Sequence, residues 1–200
     1  MPMPPTDHTN DWDSAEEQHF RDSWLEAPPT LDGQILLAEY SPFWPDQYAR
    51  LAATIRDALG DRILQLEHIG STSVPGLAAK PIIDILLVLA DPALEATYVP
   101  PLEHAGFRLV LREPSWYEHR LFRRGPDPNV NLHVHPPASP EITRWLHFRD
   151  HLRTTPADRA LYEQTKRRLA AARWRYVQQY AEAKTEVIEA ILARALPVGG

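Results

Sequence analysis

The sequence contains no cysteine, no long apolar run and no excess of basic residues. Without cysteine, disulfide bonds and thiolate metal ligands are excluded. No apolar run reaches the roughly 18 residues that a membrane helix needs. The first residues, MPMPPTDHTNDWD, lack the basic start and apolar core of a secretory signal. The formal net charge of -6 argues against nucleic acid as a partner, because nucleic-acid-binding domains usually present a basic face. We therefore expect a cytoplasmic protein that associates with neither membranes nor nucleic acid.

The length and composition indicate one domain. A chain of 200 residues with 44% hydrophobic residues can bury one substantial core and hardly two. Residues 1–30 are predicted as an N-terminal tail, partly disordered, with a possible short helix from Ser14 to about Glu26. Residues 31–200 are predicted as a single domain.

The order of predicted elements favours an α+β fold. Strands concentrate in the first two thirds and helices in the last third, which predicts a mixed sheet of about five strands flanked by helices, with a helical C-terminal part. The predicted strands are 34–40, 63–69, 82–89, 107–111, 118–124 and 130–135, the last two forming an antiparallel hairpin. The predicted helices begin near Ser41, Asp91, Ser139 and Thr155, and a long amphipathic helix covers 174–195.

The stretch from Glu67 to Leu89, EHIGSTSVPGLAAKPIIDILLVL, organises the chain. It predicts a strand, a glycine–serine turn and a second, almost wholly apolar strand that carries Asp84. Burying a carboxylate is costly unless a partner compensates it, so Asp84 is predicted to meet a metal ion, a cleft or Lys80. Glycine permits a close approach to phosphate, which the turn's donors can bind. The predicted phosphate-binding residues of the turn are Gly70, Ser71, Thr72 and Ser73.

Several blocks together closely resemble the GrpB family. They are ILLAEYSPFWPDQYARL, HIGSTSVPGLAAKPIIDI, NLHVHP, FRDHLR and AEAKTEVIEAIL, which cover about Ile35 to Leu196. The resemblance implies a nucleotidyltransferase-like fold, a poorly defined biochemical role and a branch fused to dephospho-coenzyme A kinase. It also implies two acids on the strand after the turn. Asp84 matches the first, whereas Leu86 stands at the second and cannot bind a metal.

Other side chains are candidates to complete this site. In the strand NLHVH, Asn131, His133 and His135 are predicted to share one face. The predicted metal ligands are Asp84, His133 and His68, and the expected ion is Mg²⁺ or Mn²⁺, with zinc suited to a histidine–aspartate set. Basic residues predicted to bind nucleotide or an acidic substrate are Arg120, Arg149 and Lys184, beside Lys80. The run from Lys166 to Arg168 is predicted as a solvated helix face.

Three functions follow from these residues. The first is metal-dependent transfer of a nucleotidyl or related group from ATP or another nucleoside triphosphate to a small acceptor, with Asp84 and Lys80 as catalytic residues. The second is a non-catalytic protein that binds a nucleotide or coenzyme A-like molecule, which Leu86 favours. The third is a metal hydrolase built on Asp84 and His133. The expected partner is a small-molecule substrate or nucleotide, and the oligomeric state stays open.

Overall fold

The computed structural model describes residues 13–30 and 35–195. Five strands form one mixed sheet in the order β1-β2-β5-β4-β3. Only the central β2–β5 pair is parallel, and the β1–β2, β3–β4 and β4–β5 pairs are antiparallel. The strands are β1 (Ile63–Ile69), β2 (Ile82–Leu89), β3 (Arg108–Glu113), β4 (His119–Arg124) and β5 (Asn129–His135). The α+β fold class with a five-stranded mixed sheet is thus confirmed.

Seven α-helices surround this sheet in the described part of the chain. Two stand before β1, one lies between β2 and β3, and four follow β5. They are α1 (Ser14–Ser23), α2 (Trp44–Leu59), α3 (Val99–His104), α4 (Pro140–Thr154), α5 (Pro156–Ala170), α6 (Val177–Glu182) and α7 (Thr185–Ala195). None of the helices within 13–30 and 35–195 is both long and apolar enough to cross a lipid bilayer. The cytoplasmic location and the lack of a nucleic-acid partner stay predictions.

One face of the sheet holds the main core. Ile83, Ile85 and Leu87 of β2 alternate toward it and pack with Leu132 of β5 and Ile55 of α2. The alternation follows from the period of two in a strand, which sends every second side chain to the same face. The other face carries Asp84, Leu86 and Val88, and its covering includes α1 and α4. We call this second surface the cavity face.

Three sequence predictions about elements are corrected. Residues 35–40 form no strand but one isolated bridge, Ala38 to Ala79, because their neighbour is the β1–β2 connection and not another strand. Position 34, the first of that prediction, lies outside the described residues. The helix predicted from Asp91 is a single 3₁₀ turn (Glu95–Thr97) followed by the short α3. The long C-terminal helix is divided into α6 and α7 by a turn at Ala183 and Lys184.

The N-terminal segment belongs to the folded body where it is described. Asp13 caps α1, its carboxylate accepting hydrogen bonds from the backbone N–H groups of Ala15 and Glu16. Trp24 forms a bridge to Leu111 of β3, and Glu17 accepts a hydrogen bond from the Tyr176 hydroxyl at 2.9 Å. Residues predicted as a tail therefore build one wall of the cavity described next. Residues 1–12 of the predicted tail lie outside the described residues, and the domain boundary at residue 31 stays a prediction.

Candidate functional site

A cavity of about 740 Å³ lies over the cavity face of the sheet. Small-molecule sites in proteins typically measure roughly 300–1,000 Å³, so this space suits a metabolite-sized ligand. Its walls come from the β1–β2 turn, strands β2 to β5, and helices α1, α4, α5 and α6, with the turn before α7. We call it the central cavity. Ile69 at the end of β1 and Ile188 of α7 also line it, so residues from ten strands and helices meet there, and few of them are neighbours in sequence.

The predicted glycine–serine turn forms one corner of the central cavity. Gly70 has a φ of +68° and a ψ of -175°, a conformation that side-chain-bearing residues rarely adopt. A Cβ at this position would overlap Asp84 Oδ2 and lie 2.9 Å from the Asp84 Cβ. The glycine therefore serves two needs, the reversed backbone and the close approach of the carboxylate. Ser73 is buried and ties the turn by donating its hydroxyl to the Gly70 carbonyl at 2.6 Å.

Substitution of Gly70 by alanine tests this packing. We expect Gly70→Ala to lower the free energy of unfolding by about 1–2 kcal/mol for the positive φ and by about 1–3 kcal/mol more for the clash with Asp84. Gly76→Ala is the matched control, because Gly76 has a φ of +77° but nothing within 4 Å of an added Cβ. Urea denaturation of both variants measures the difference. Equal losses for the two variants would contradict the clash.

Asp84 faces the central cavity with 27% of its side chain exposed. Its Oδ1 accepts a hydrogen bond from Asn131 Nδ2 at 2.9 Å, since Asn131 is the register partner of Asp84 on the parallel strand β5. Partial burial raises the pKa of Asp84, while the Asn131 hydrogen bond and the charge of Lys80 oppose that rise. The carboxylate is therefore held in place by its neighbour and still open to a ligand.

The position of the second acid is closed. Leu86 is fully buried and packs with Ile69, Val88 and Trp145 beneath α4. Within the described ranges, no group of three or more histidine and acidic side chains has the geometry to hold a metal ion. The histidine and acidic side chains of the central cavity thus do not fit the divalent-cation site that a pair of acids on β2 would form.

His68 does not join Asp84, which corrects its prediction as a metal ligand. The register pairs Asp84 with Ile69 and Ile85 with His68, so His68 projects from the opposite face of the sheet. There its ring stacks on Tyr48 of α2 at 4.7 Å, and its Nε2 lies 3.1 Å from the Thr72 hydroxyl. Burial lowers the pKa of His68 to about 4.

Two arginines that were predicted to bind an anionic ligand pair with carboxylates of the protein itself. Arg120 lies on the opposite face, where its guanidinium pairs with Glu95 at 2.7 Å and with Glu118. Arg149 lies at the wall of the cavity but pairs with Glu67 at 2.9 Å and with Asp150. Its other contact is the His68 carbonyl, at 3.0 Å. Arg120 is therefore removed from the candidate site. Arg149 stays at the edge of the cavity, where Glu67 and Asp150 already neutralise its charge.

Lysine is rare in this sequence, and all three lysines face the central cavity. Only Lys80, Lys166 and Lys184 occur among 21 basic residues, and all three line the cavity. We call them the lysine cluster. Lys80 and Lys184 lie over the ring of Tyr180, with Nζ 5.3 and 4.7 Å from its centroid, and Lys166 Nζ lies 4.9 Å from the Tyr162 ring. The ion pairs found within the described residues involve arginine or histidine but none of these lysines.

Burial makes the lysine cluster easier to deprotonate. It lowers the pKa of Lys166 to about 7 and the pKa values of Lys80 and Lys184 to about 8, and for Lys80 and Lys166 the charge of Lys184 acts in the same direction. Asp84 partly compensates Lys80 and Lys184. Three amines thus share one cavity with the carboxylate of Asp84, and Glu16, Glu113 and Glu182 also line it.

Lys166 is the residue that sequence reasoning missed most clearly. It was predicted on a solvated helix face, whereas its side chain is 2% exposed and donates to Ser71 Oγ at 3.1 Å and to the Ala78 carbonyl. Arg123 was missed too; it lines the cavity because it is the register partner of Asn131. The scarcity of lysine beside 18 arginines was the available signal. Lysine carries a compact ammonium whose pKa shifts readily on burial, unlike the guanidinium of arginine.

A row of imidazoles continues the site beyond Asp84. His133 and His135 share the cavity face with Asn131, as the alternation of β5 predicted. The His133 Nε2 lies 4.0 Å from Asp84 Oδ1. His119 of β4 stacks on His135 at 4.7 Å and contacts His133 through a 3.1 Å nitrogen–nitrogen contact. Burial lowers the pKa values of all three, to about 3 for His119 and His135, so these rings are neutral.

Comparison with known proteins places the chain in a recognised family. A family model described as GrpB protein matches residues 34–194. A UPF0157 protein of Halalkalibacterium halodurans is 47% identical over 193 residues, which cover 96% of this chain and 98% of that protein. A dephospho-CoA kinase of Mycobacterium leprae is 33% identical over 180 residues, covering 74% of this chain and 43% of the kinase.

Solved structures give the same grouping. The crystal structure of conserved protein GrpB from Enterococcus faecalis superposes with a TM-score of 0.67 at 32% identity, covering 80% of this chain and 96% of that one. A structure of Cid1 poly(U) polymerase with Mg and 3′-dATP bound gives a TM-score of 0.41 at 12% identity, covering 64% of this chain and 45% of that one. This second likeness is distant.

Proposed function

The chain belongs to the GrpB family, and from its lysine-lined central cavity we propose that it binds a polyphosphate-bearing small molecule of the nucleotide or coenzyme A class. The observation that carries this proposal is the convergence of all three lysines on one enclosed space. Ammonium groups are costly to bury without counter-charge. A polyanionic ligand supplies that counter-charge, whereas water alone leaves the three amines with lowered pKa values.

The position of the phosphates follows from Lys166. Its Nζ contacts Ser71 Oγ at the glycine–serine turn, so a phosphate near Lys166 also lies near the backbone of that turn. Successive N–H groups and a serine hydroxyl at such a turn are suitable donors to phosphate oxygens. Lys80 and Lys184, close to Tyr180, extend the positive surface to further phosphates. The spread of three cations favours two or three linked phosphates over one.

The reaction that we propose is transfer of a nucleotidyl or related group from a nucleoside triphosphate to a small acceptor. Asp84 lies beside the lysine cluster, and phosphoryl chemistry depends mainly on positioning and on neutralising the charge of the phosphates. Lys80 and Asp84 are the candidate residues at the reacting phosphate. The similarity to a dephospho-CoA kinase supports a coenzyme A precursor as one ligand to assay.

A second function is favoured by one specific observation, the sealed position of Leu86. With the second acid replaced by a buried leucine, a protein that binds the polyphosphate without converting it is the alternative. Incubation with labelled nucleoside triphosphates, Mg²⁺ or Mn²⁺ and a pool of small acceptors separates the two. Product formation that is lost in Asp84→Ala supports transfer, and tight binding without product supports the accessory role.

The binding proposal is tested on the lysines themselves. Reductive methylation with ¹³C-formaldehyde labels the three lysines and the N-terminal amine, and Lys→Arg variants assign each lysine signal. We expect the three lysines to titrate well below the ordinary lysine pKa of about 10.4. Tripolyphosphate, ATP or dephospho-CoA should raise those pKa values, because a bound anion favours the charged amines. The same ligands should stabilise the unmodified fold by about 2.7 kcal/mol at a hundred times Kd.

Adenosine serves as the control ligand, because it has the base and ribose of ATP without phosphate. If tripolyphosphate and the nucleotides leave the lysine titrations and the melting temperature unchanged, the binding proposal is wrong. If adenosine shifts both as strongly as ATP does, phosphate recognition by the lysine cluster is wrong.

A further inference from the structure

A chain of three side chains crosses the sheet and ends in the central cavity. Glu113 Oε2 of β3 lies 2.7 Å from His119 Nδ1 of β4, and His119 Nε2 lies 3.1 Å from His133 Nδ1 of β5. The remaining nitrogen, His133 Nε2, faces Asp84 Oδ1 at 4.0 Å. We call Glu113, His119 and His133 the histidine chain. The planes of the two imidazoles are 16° apart and their centroids lie 5.3 Å apart, which is compatible with a hydrogen bond between the two facing nitrogens.

The chemistry of carboxylates and imidazoles determines the direction of each hydrogen bond in the histidine chain. A carboxylate only accepts, so His119 Nδ1 carries the proton that Glu113 accepts. A neutral imidazole has one N–H, so His119 Nε2 holds a lone pair, and His133 Nδ1 must donate to it. His133 Nε2 is then left with a lone pair. The buried rings are neutral, so neither imidazole carries a second proton.

The lone pair points at another acceptor. Asp84 Oδ1 already accepts from Asn131, and at 4.0 Å it is too far from His133 Nε2 for a direct hydrogen bond. Two acceptors that face each other across this gap leave a place for a group that donates a proton.

From this arrangement we propose that His133 is the proton acceptor of the central cavity, with Glu113 and His119 as the positioning residues that aim its lone pair. The inference rests on the proposed function, and it assigns the second substrate to the class of small molecules that react through a hydroxyl. The hydroxyl oxygen forms a bond to the α-phosphorus, the bond from that phosphorus to the bridging oxygen breaks, and pyrophosphate leaves. The hydroxyl proton moves to His133 Nε2, and Asp84 stabilises the resulting imidazolium.

The direct test is the protonation state of each ring nitrogen, measured by ¹⁵N–¹H correlation of the imidazoles without any ligand. We expect the Nδ1–H form at both His119 and His133. Glu113→Met should switch both rings to Nε2–H, because His119 then has no acceptor at Nδ1 and donates through Nε2 instead. Glu118→Met is the control, since Glu118 pairs with Arg120 on the other face and should change neither ring.

Each outcome decides the inference. A proton on His133 Nε2 in the unaltered protein overturns it, and this measurement stands even if Glu113→Met does not fold. An unchanged His133 spectrum in folded Glu113→Met overturns the positioning role. His133→Gln should retain tripolyphosphate binding and lose about 100-fold in turnover, the lower end of the usual effect of a general base, whereas exposed His147→Gln should keep both.

The inference and the proposed function fail in different ways. If nucleotides do not raise the pKa values of the lysine cluster, the binding proposal is wrong. The protonation states of the His119 and His133 rings are measured without ligand, so that result does not affect them. Wild-type turnover in His133→Gln would contradict the role of His133 as proton acceptor, while the proposal that the cavity binds a polyphosphate would remain.

Discussion

Acidification from pH 7.5 to 5.5 is expected to lower the free energy of unfolding by about 4 kcal/mol through three buried histidines. His68, His119 and His135 have pKa values of about 4, 3 and 3 in the folded protein, all lowered chiefly by burial. In the unfolded chain each titrates near 6.5. As the pH falls through 6.5, the three histidines bind protons in the unfolded state but not in the folded state. The free energy of unfolding therefore falls with the pH. Each residue contributes about 1.4 kcal/mol over this range.

Other groups modify this slope without changing its sign. His133 acts in the same direction, because burial holds its pKa well below the ordinary value. Asp84 and Glu113 act in the opposite direction, because burial raises their pKa values and protonation then favours the folded state. A loss of about 4 kcal/mol is a large part of the roughly 5–15 kcal/mol that stabilises an ordinary domain.

His135 provides the sharpest variant for this prediction. Both of its ring nitrogens are buried and have no hydrogen-bond partner among the described residues, and Trp116 and Trp145 pack against the ring. His135→Leu removes one titrating group and no hydrogen bond, so it should reduce the acid loss by about 1.4 kcal/mol. His147→Leu, on an exposed position of α4, should leave the slope as it is. Urea denaturation at pH 7.5 and 5.5 measures both, and equal slopes in the two variants would contradict the assignment.

Loss of phosphate binding in Lys166→Met is the second large effect that we expect. Lys166 is the most deeply buried member of the lysine cluster, and it contacts the turn at Ser71. A hydrogen bond to a charged group contributes about 1.5–3 kcal/mol, so its removal should weaken tripolyphosphate binding by about 10- to 100-fold. Methionine keeps most of the length and apolar stem of lysine, so the helix α5 and its packing should remain.

Arg168→Met is the matched control for this variant. It removes one positive charge from the same helix, but Arg168 is exposed and outside the central cavity. Isothermal titration with tripolyphosphate gives Kd for both variants, and circular dichroism checks that each is folded. A weakening of the same size in Arg168→Met would point to net charge alone. Wild-type affinity in Lys166→Met would remove Lys166 from the site.

Local patterns were sufficient for much of the fold. The apolar runs Ile63–Ile69 and Ile82–Leu89 are strands with the bounds that the sequence predicted, and the hairpin of β4 and β5 is confirmed. Proline and serine or threonine marked the starts of α4 and α5. These features depend on side-chain alternation and on capping within a few residues, so a linear reading captures them. Asp84 was found for the same reason, as one carboxylate in an otherwise apolar strand.

What the sequence by itself determined is therefore the five strands of the sheet, the starts of α4 and α5, the α+β class, the family and the carboxylate at its centre. Tertiary structure alone decided which side chains meet that carboxylate. Pairing register sent Arg120 and His68 to one face and Arg123 to the other, because a shift of one residue along a strand reverses the face. The turn between α6 and α7 and the packing of α5 brought Lys184 and Lys166 to Lys80. Contacts between residues so distant in the chain depend on how whole elements pack, and no local pattern encodes them.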